Sequence, residues 1–182
     1  ILSVNLKKNV ICLLIMKPAF ILLFSLLFLN GFSQNQDAKS NALGGCGLTQ
    51  NSVWSNFTNQ AGLAETKQFT IGVGTENSFG IKELSTHTAV FALPVSGGVF
   101  GLNVVYTGFE LYNETKIGLA FGKKLSDDFN VGIQVDYLGI YADEGTNNHN
   151  NFTFEIGAQK RLMRELTLGA HIFNPIGVKL NE

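Results

Sequence analysis

Charge is scarce in this sequence. Lys, Arg, Asp and Glu make up 15% of its 182 residues, against about 25% in soluble domains. The balance is close to neutral, at −1. That gives no electrostatic pull on nucleic acid, and nucleic acid is not expected as a partner. Cysteine is scarce as well, with Cys12 and Cys46 alone. Cys12 precedes the start site argued below, so Cys46 stands alone in the mature chain and an internal disulfide is excluded. Its expected role is a small buried thiol in the Gly-rich turn Leu43-Gly44-Gly45-Cys46. Motifs for chemistry are missing too. His87, His149 and His171 lack ligand spacing with Cys or carboxylates, and His149 falls in an Asn-rich loop. His87 and His171 fall on strands, facing water or a satisfied lumen contact. No Ser/His/Asp motif, dinucleotide loop or calcium loop is present. No catalytic residue, metal or cofactor is therefore expected, and the chain reads as a non-enzyme.

What the sequence has in quantity is apolar and small. Hydrophobic residues reach 45%, with 20 glycines and 15 phenylalanines. Many aromatics and glycines with little charge suit a sheet that turns one face to lipid. A soluble β-sandwich fits the same composition.

The strongest apolar run is Ala19 to Leu29. It is short for the ~20 residues of a membrane-spanning helix. Translation from Met16 gives a better parse. Lys17 is then the positive n-region and Ala19–Leu29 the h-region, with Gly31 and Ser33 as the small residues before cleavage. Residues 16–33 read as a signal peptide, the mature chain starts at Gln34, and residues 1–15 read as upstream, non-native sequence.

Residues 34–65 are polar and rich in small side chains, and 66–182 alternate with period two, the signature of strands. Val131, Ile133, Val135 and Tyr137 alternate with Gly132, Gln134 and Asp136. Ile117, Leu119 and Phe121 alternate with Lys116, Gly118, Ala120 and Gly122. Phe152, Phe154, Ile156 and Ala158 alternate with Thr153, Glu155, Gly157 and Gln159. Phe100, Leu102, Val104 and Tyr106 alternate with Gly101, Asn103, Val105 and Thr107. Only a strand gathers each apolar set on one face. With 69–74, 83–93 and 166–173, about seven strands are expected. The connections appear sorted: Thr75–Lys82, Gly108–Glu114 and Ala142–Asn151 are long, whereas Pro94–Gly98, Ser126–Asp128 and Leu162–Glu165 are short. Such sorting is the rule of outer-membrane barrels. In this register Asn103, Lys116, Gln134, Asp136, Glu155 and Gln159 face the lumen. Their carbonyl and charged groups are the candidates for hydrating it or for meeting a substrate. The glycines beside them would admit a closely packed plug. Tyr106, Tyr137 and Tyr141 lie near strand ends, where an aromatic girdle sits.

A resemblance precedes the first strand. The stretch Asn41-Ala-Leu-Gly-Gly-Cys-Gly-Leu48, followed by Trp54 and by Asn59-Gln60-Ala61-Gly62-Leu63-Ala64, resembles the opening of the PorV/PorQ-like outer-membrane proteins. More distantly it is similar to the FadL-type transporters of hydrophobic compounds. Those families carry Asn-Pro-Ala-Gly-Leu-Ala at this point; here Gln60 replaces the proline. Asn174-Pro175 after a strand is similar too. The resemblance implies a barrel with its N-terminal segment tucked into the lumen.

The reading is thus all-β: an antiparallel up-and-down outer-membrane β-barrel, incomplete at about seven strands. A signal peptide (16–33) and a lumen or plug segment (34–65) precede the partial barrel (66–182). Outer-membrane lipid is the expected surrounding. Expected partners are secretion-system proteins, in a type IX secretion or surface-attachment role, or a hydrophobic ligand, in a FadL-like channel. A soluble periplasmic β-sandwich binding module is the reading of a different class. Because barrels have an even strand number, further strands are expected beyond this chain. Arg in place of Gln134 is expected to be tolerated far better than Arg in place of Ile133.

Overall fold

The computed structural model describes residues 37–143 and 149–177. The signal-peptide and upstream assignments of residues 1–33 lie outside the described residues. Two layers make up the described chain: a short N-terminal segment, and a seven-stranded antiparallel sheet that curls into half a barrel around it.

The strands are β1 (Thr70–Asn77), β2 (Ser85–Val95), β3 (Gly98–Phe109), β4 (Tyr112–Ser126), β5 (Phe129–Ala142), β6 (His149–Arg161) and β7 (Thr167–Phe173). Each pairs with its sequence neighbour, in the order β1 to β7. β1 and β7 pair on one side only, so both edges of the described sheet are open. Local sequence explains the strands. Val, Ile, Phe, Tyr and Thr at alternate positions pack well on a pleated surface, and period two puts one set on each face.

The connections differ from the sequence expectation at two places. β3 and β4 are joined by Glu110-Leu111 alone, not by a long loop from Gly108 to Glu114. Gly108 takes φ 114 inside the ladder, opposite Asn113. A glycine tolerates that angle, so the strands continue past it. His149 does not sit free in a loop either; it opens β6 opposite Ile140. The sorting of connections by length therefore survives only in part, in the spans 78–84 and 143–148 on one side.

Before β1 the chain forms α1 (Ala38–Ala42) and two 3-10 turns, Val53–Asn56 and Gln60–Glu65. Asp37 caps α1, its carboxylate accepting from the Lys39 and Ser40 amides at 3.1 Å each, the usual Asp role at a helix start. Ser52 caps the first 3-10 turn and Asn59 the second. These caps keep the short turns folded where their own hydrogen bonds are few.

The hydrophobic core is small and lies between the segment and one half of the sheet. Val53, Phe57 and Leu63 pack on Val90, Ala92, Val99, Val105 and Ala120, with Trp54 at the margin. At roughly 1.5–3 kcal/mol for each large apolar side chain fully buried, this cluster is the main adhesive between segment and β2–β4.

Candidate functional site

Most large apolar side chains of the sheet are not in that core. They point the other way. Register joins them into rows that cross the sheet. Leu93, Phe100, Phe121, Ile133, Ile156 and Ile172 form one row from β2 to β7. The next row holds Ile71, Phe91, Leu102, Leu119, Val135 and Phe154. Ile133 is 58% exposed, Leu119 58% and Ile172 57%. The concave face carries the opposite chemistry. Asn103, Gln134, Asp136, Glu155 and Gln159 are buried there, each at 3% exposure or less. A water-soluble sheet buries its apolar face and wets its polar one; this one does the reverse.

The N-terminal segment fills the polar face, and the inward glycines make room for it. A β-carbon at Gly122 would meet the Gln60 carbonyl at 2.7 Å, and one at Gly169 the Leu48 carbonyl at 2.6 Å. Side chains at Gly132 or Gly157 would run into Gln60 backbone or the Asn59 amide, and one at Gly101 into Asn56. At Gly72 it would come within 2.9 Å of the Trp54 ring. One segment thus touches the sheet near both edges, which requires the sheet to curl around it.

Asn59 and Gln60 anchor the segment by hydrogen bonds. Asn59 Nδ2 lies within reach of the carbonyls of Leu48 (2.8 Å), Ala158 (3.1 Å) and Ala170 (3.3 Å). Its Oδ1 accepts from the Ala61 amide at 3.2 Å. Gln60 occupies the first position of its 3-10 turn, where a proline also fits. Its amide donates to Glu155 Oε2 and to the Asn56 carbonyl. Of the remaining motif residues, Ala61, Gly62 and Leu63 are buried and Ala64 is half-buried. Gln159 donates to the Leu48 carbonyl at 2.9 Å.

Glu155 is the hub of the polar face. Lys116 Nζ donates to Glu155 Oε1 at 2.7 Å and lies 3.5 Å from Asp136 Oδ1. His171 Nε2 lies 3.0 Å from Glu155 Oε2. Gln134 donates to Asp136 Oδ1 at 2.8 Å and accepts from Asn103 at 3.1 Å. Lys116 also lies 5.1 Å from the centre of the Phe173 ring. Asn103, Lys116, Gln134, Asp136 and Glu155 thus form one connected cluster, while Gln159 binds the segment separately. The carbonyl oxygens of the Asn56, Gln60 and Asn103 side chains are buried beside this cluster. A polar interior of this kind disfavours apolar chains.

Two expectations need correction here. Gln134 is not a tolerant site; it is fully buried between Asn103 and Asp136, and Arg would have to displace both. Cys46 is exposed rather than buried, because its turn projects beyond the packed part of the segment. His171 joining Glu155 could have been found from the inward parity of β7, whereas the stretch holding Trp54 and Asn56 was marked only by resemblance, with nothing to show which strands the two residues meet. Compared with protein-family models, curated proteins and solved structures, the chain matches none.

Proposed function

We propose that this chain forms wall of a β-barrel in a bacterial outer membrane, reached by export, with residues 37–65 held in the lumen as a plug. The reversed faces of the sheet carry the reading. Rows of Ile, Leu, Phe and Val pointing outward are stable next to hydrocarbon and unfavourable next to water. Among the described residues no second sheet covers them, which speaks against a β-sandwich. No helix among the described residues is long and apolar enough to cross a membrane; the membrane reading rests on the strand faces.

Within the membrane reading we favour a non-enzymatic role of the PorV/PorQ type, in type IX secretion or surface attachment. The concave wall is occupied by the chain's own segment, and Asn103, Gln134, Asp136, Glu155 and Gln159 make much of it polar. That supports a lumen serving as scaffold over one conducting hydrophobic molecules. The FadL-like alternative draws on the apolar strip Val90, Val105 and Ala120, which lies against the plug and would line a channel if the plug left.

The test is heat-dependent gel mobility of the full chain in the membrane fraction, with flotation on liposomes. A folded barrel migrates faster unheated than boiled and floats with lipid. A chain found wholly in the soluble fraction, with one mobility, sinks the membrane reading.

A further inference from the structure

Apolar side chains also gather where the membrane reading has no use for them. Phe79, in the β1–β2 connection, is 92% exposed. Its backbone is held at φ 58, a left-handed angle that strains a bulky residue. In the same connection Ile81 and Leu84 are 45% and 43% exposed, and Leu111 in the β3–β4 turn is 55% exposed. The Lys82–Leu84 turn packs on β3, and Leu111 follows the end of β3, so the two connections share one end of the sheet.

Lipid is the wrong occupant for this cluster. Two rows separate it from the apolar belt, polar or small apart from Tyr106 and Tyr141 at girdle positions. The first holds Thr75, His87, Tyr106, Thr115 and Gly139. The second holds Asn77 and Ser85 on β1 and β2, and Asn113 and Tyr141 on β4 and β5. Two rows span roughly 14 Å along the strands. With the belt centred in hydrocarbon, the cluster stands clear of it.

Charge identifies the occupant. Among the described residues of this end, Glu76, Glu83, Glu110, Glu114 and Asp143 stand against Lys82. The opposite end has no such excess of acid; Lys67, Lys123, Lys124, Lys160, Arg161 and Arg164 stand there beside Glu65, Asp127, Asp128 and Glu165. An acidic rim repels phosphate headgroups and attracts Lys and Arg.

We propose that this loop-end cluster docks a protein surface that is apolar at its centre and basic at its rim. The exclusion of lipid rests on the membrane reading; the apolar centre and acidic rim do not. Phe79 is the anchor, because an exposed aromatic held by a fixed backbone loses little freedom on binding. Glu83 and Glu110 orient the partner and make the association sensitive to salt.

The experiment uses the full chain in phosphatidylcholine nanodiscs and two synthetic peptides. Both carry the same Leu/Phe centre; one is flanked by Lys and the other by Glu. The Lys-flanked peptide should bind, and its affinity should fall about tenfold or more in F79S/L111S, as for loss of an interface anchor. It should fall similarly in E83K/E110K, and at high salt. These four residues are exposed, so the variants should keep the wild-type heat-dependent mobility. Equal binding of both peptides, or binding unchanged by both double variants, overturns the proposal. So does strong quenching of an F79W variant by brominated lipid, which would place residue 79 in the bilayer. Failure to enter nanodiscs counts against the membrane reading instead, and the same peptide titration on the protein in solution then decides the docking surface.

Discussion

Ile133 separates water from lipid at the scale of one residue. It is 58% exposed and sits in register between Phe121 and Ile156. Exposed in water, Ile133→Arg should change stability by no more than about 0.5 kcal/mol. At a bilayer midplane the same change should cost roughly 2–4 kcal/mol. Urea unfolding in lipid vesicles should give the larger value, and a change near zero would place this face in water. Gly132 makes a matching test on the inner face. A valine there has backbone of Gln60 and Ala61 in its way, and overpacking of this kind costs about 1–3 kcal/mol. Gly97→Ala, where nothing lies within 4 Å, should cost little. Limited proteolysis should find the 37–65 segment open in Gly132→Val and protected in Gly97→Ala. The faces of Ile133 and Gly132 were legible in the sequence because alternation needs no tertiary knowledge. The contact of Gln60 with Glu155 was not, since 95 residues separate the pair; the sequence marked Glu155 as inward-facing and Gln60 as a motif residue without joining them.

Turns decide how elements meet, and they were only half legible. Asp127-Asp128 was readable as a turn because Asp favours that backbone. Glu110-Leu111 was not, because neither residue is a turn former and Gly108 offered a stronger but false signal. The β4–β5 turn also carries a titration that can be followed. Lys160 hydrogen-bonds the Asp128 carboxylate, with Ser126 assisting, and holds its pKa down at about 2. The folded value lies below the unfolded one. Whatever stability this contact gives is therefore present above pH 4, and is lost as pH falls through about 2. Carbon NMR of Asp128 should titrate near 2 in the native protein, and in Lys160→Met the midpoint should return towards 3.8. An unchanged midpoint in that variant would remove Lys160 as the cause.

For the whole molecule, the reversed faces and the internal segment were foreseeable from sequence, while the depth of their contact was not. Small residues at Gly101, Gly132 and Gly157 hinted at a plug, but only the folded chain shows which atoms fill each gap. That arrangement has a consequence in time. Asn59 is held by strands far along the chain: its carbonyl partners on β6 and β7 lie 99 and 111 residues later. Contacts of such separation form slowly, after shorter loops have closed. The segment therefore stays unanchored on one side until β6 and β7 have joined the sheet. Asn59→Ala should leave the folding rate nearly unchanged and raise the unfolding rate by roughly tenfold or more, as for interactions made after the transition state. Stopped-flow kinetics in urea would read both limbs. A slower folding limb would mean instead that the segment is gripped early and the sheet is built around it.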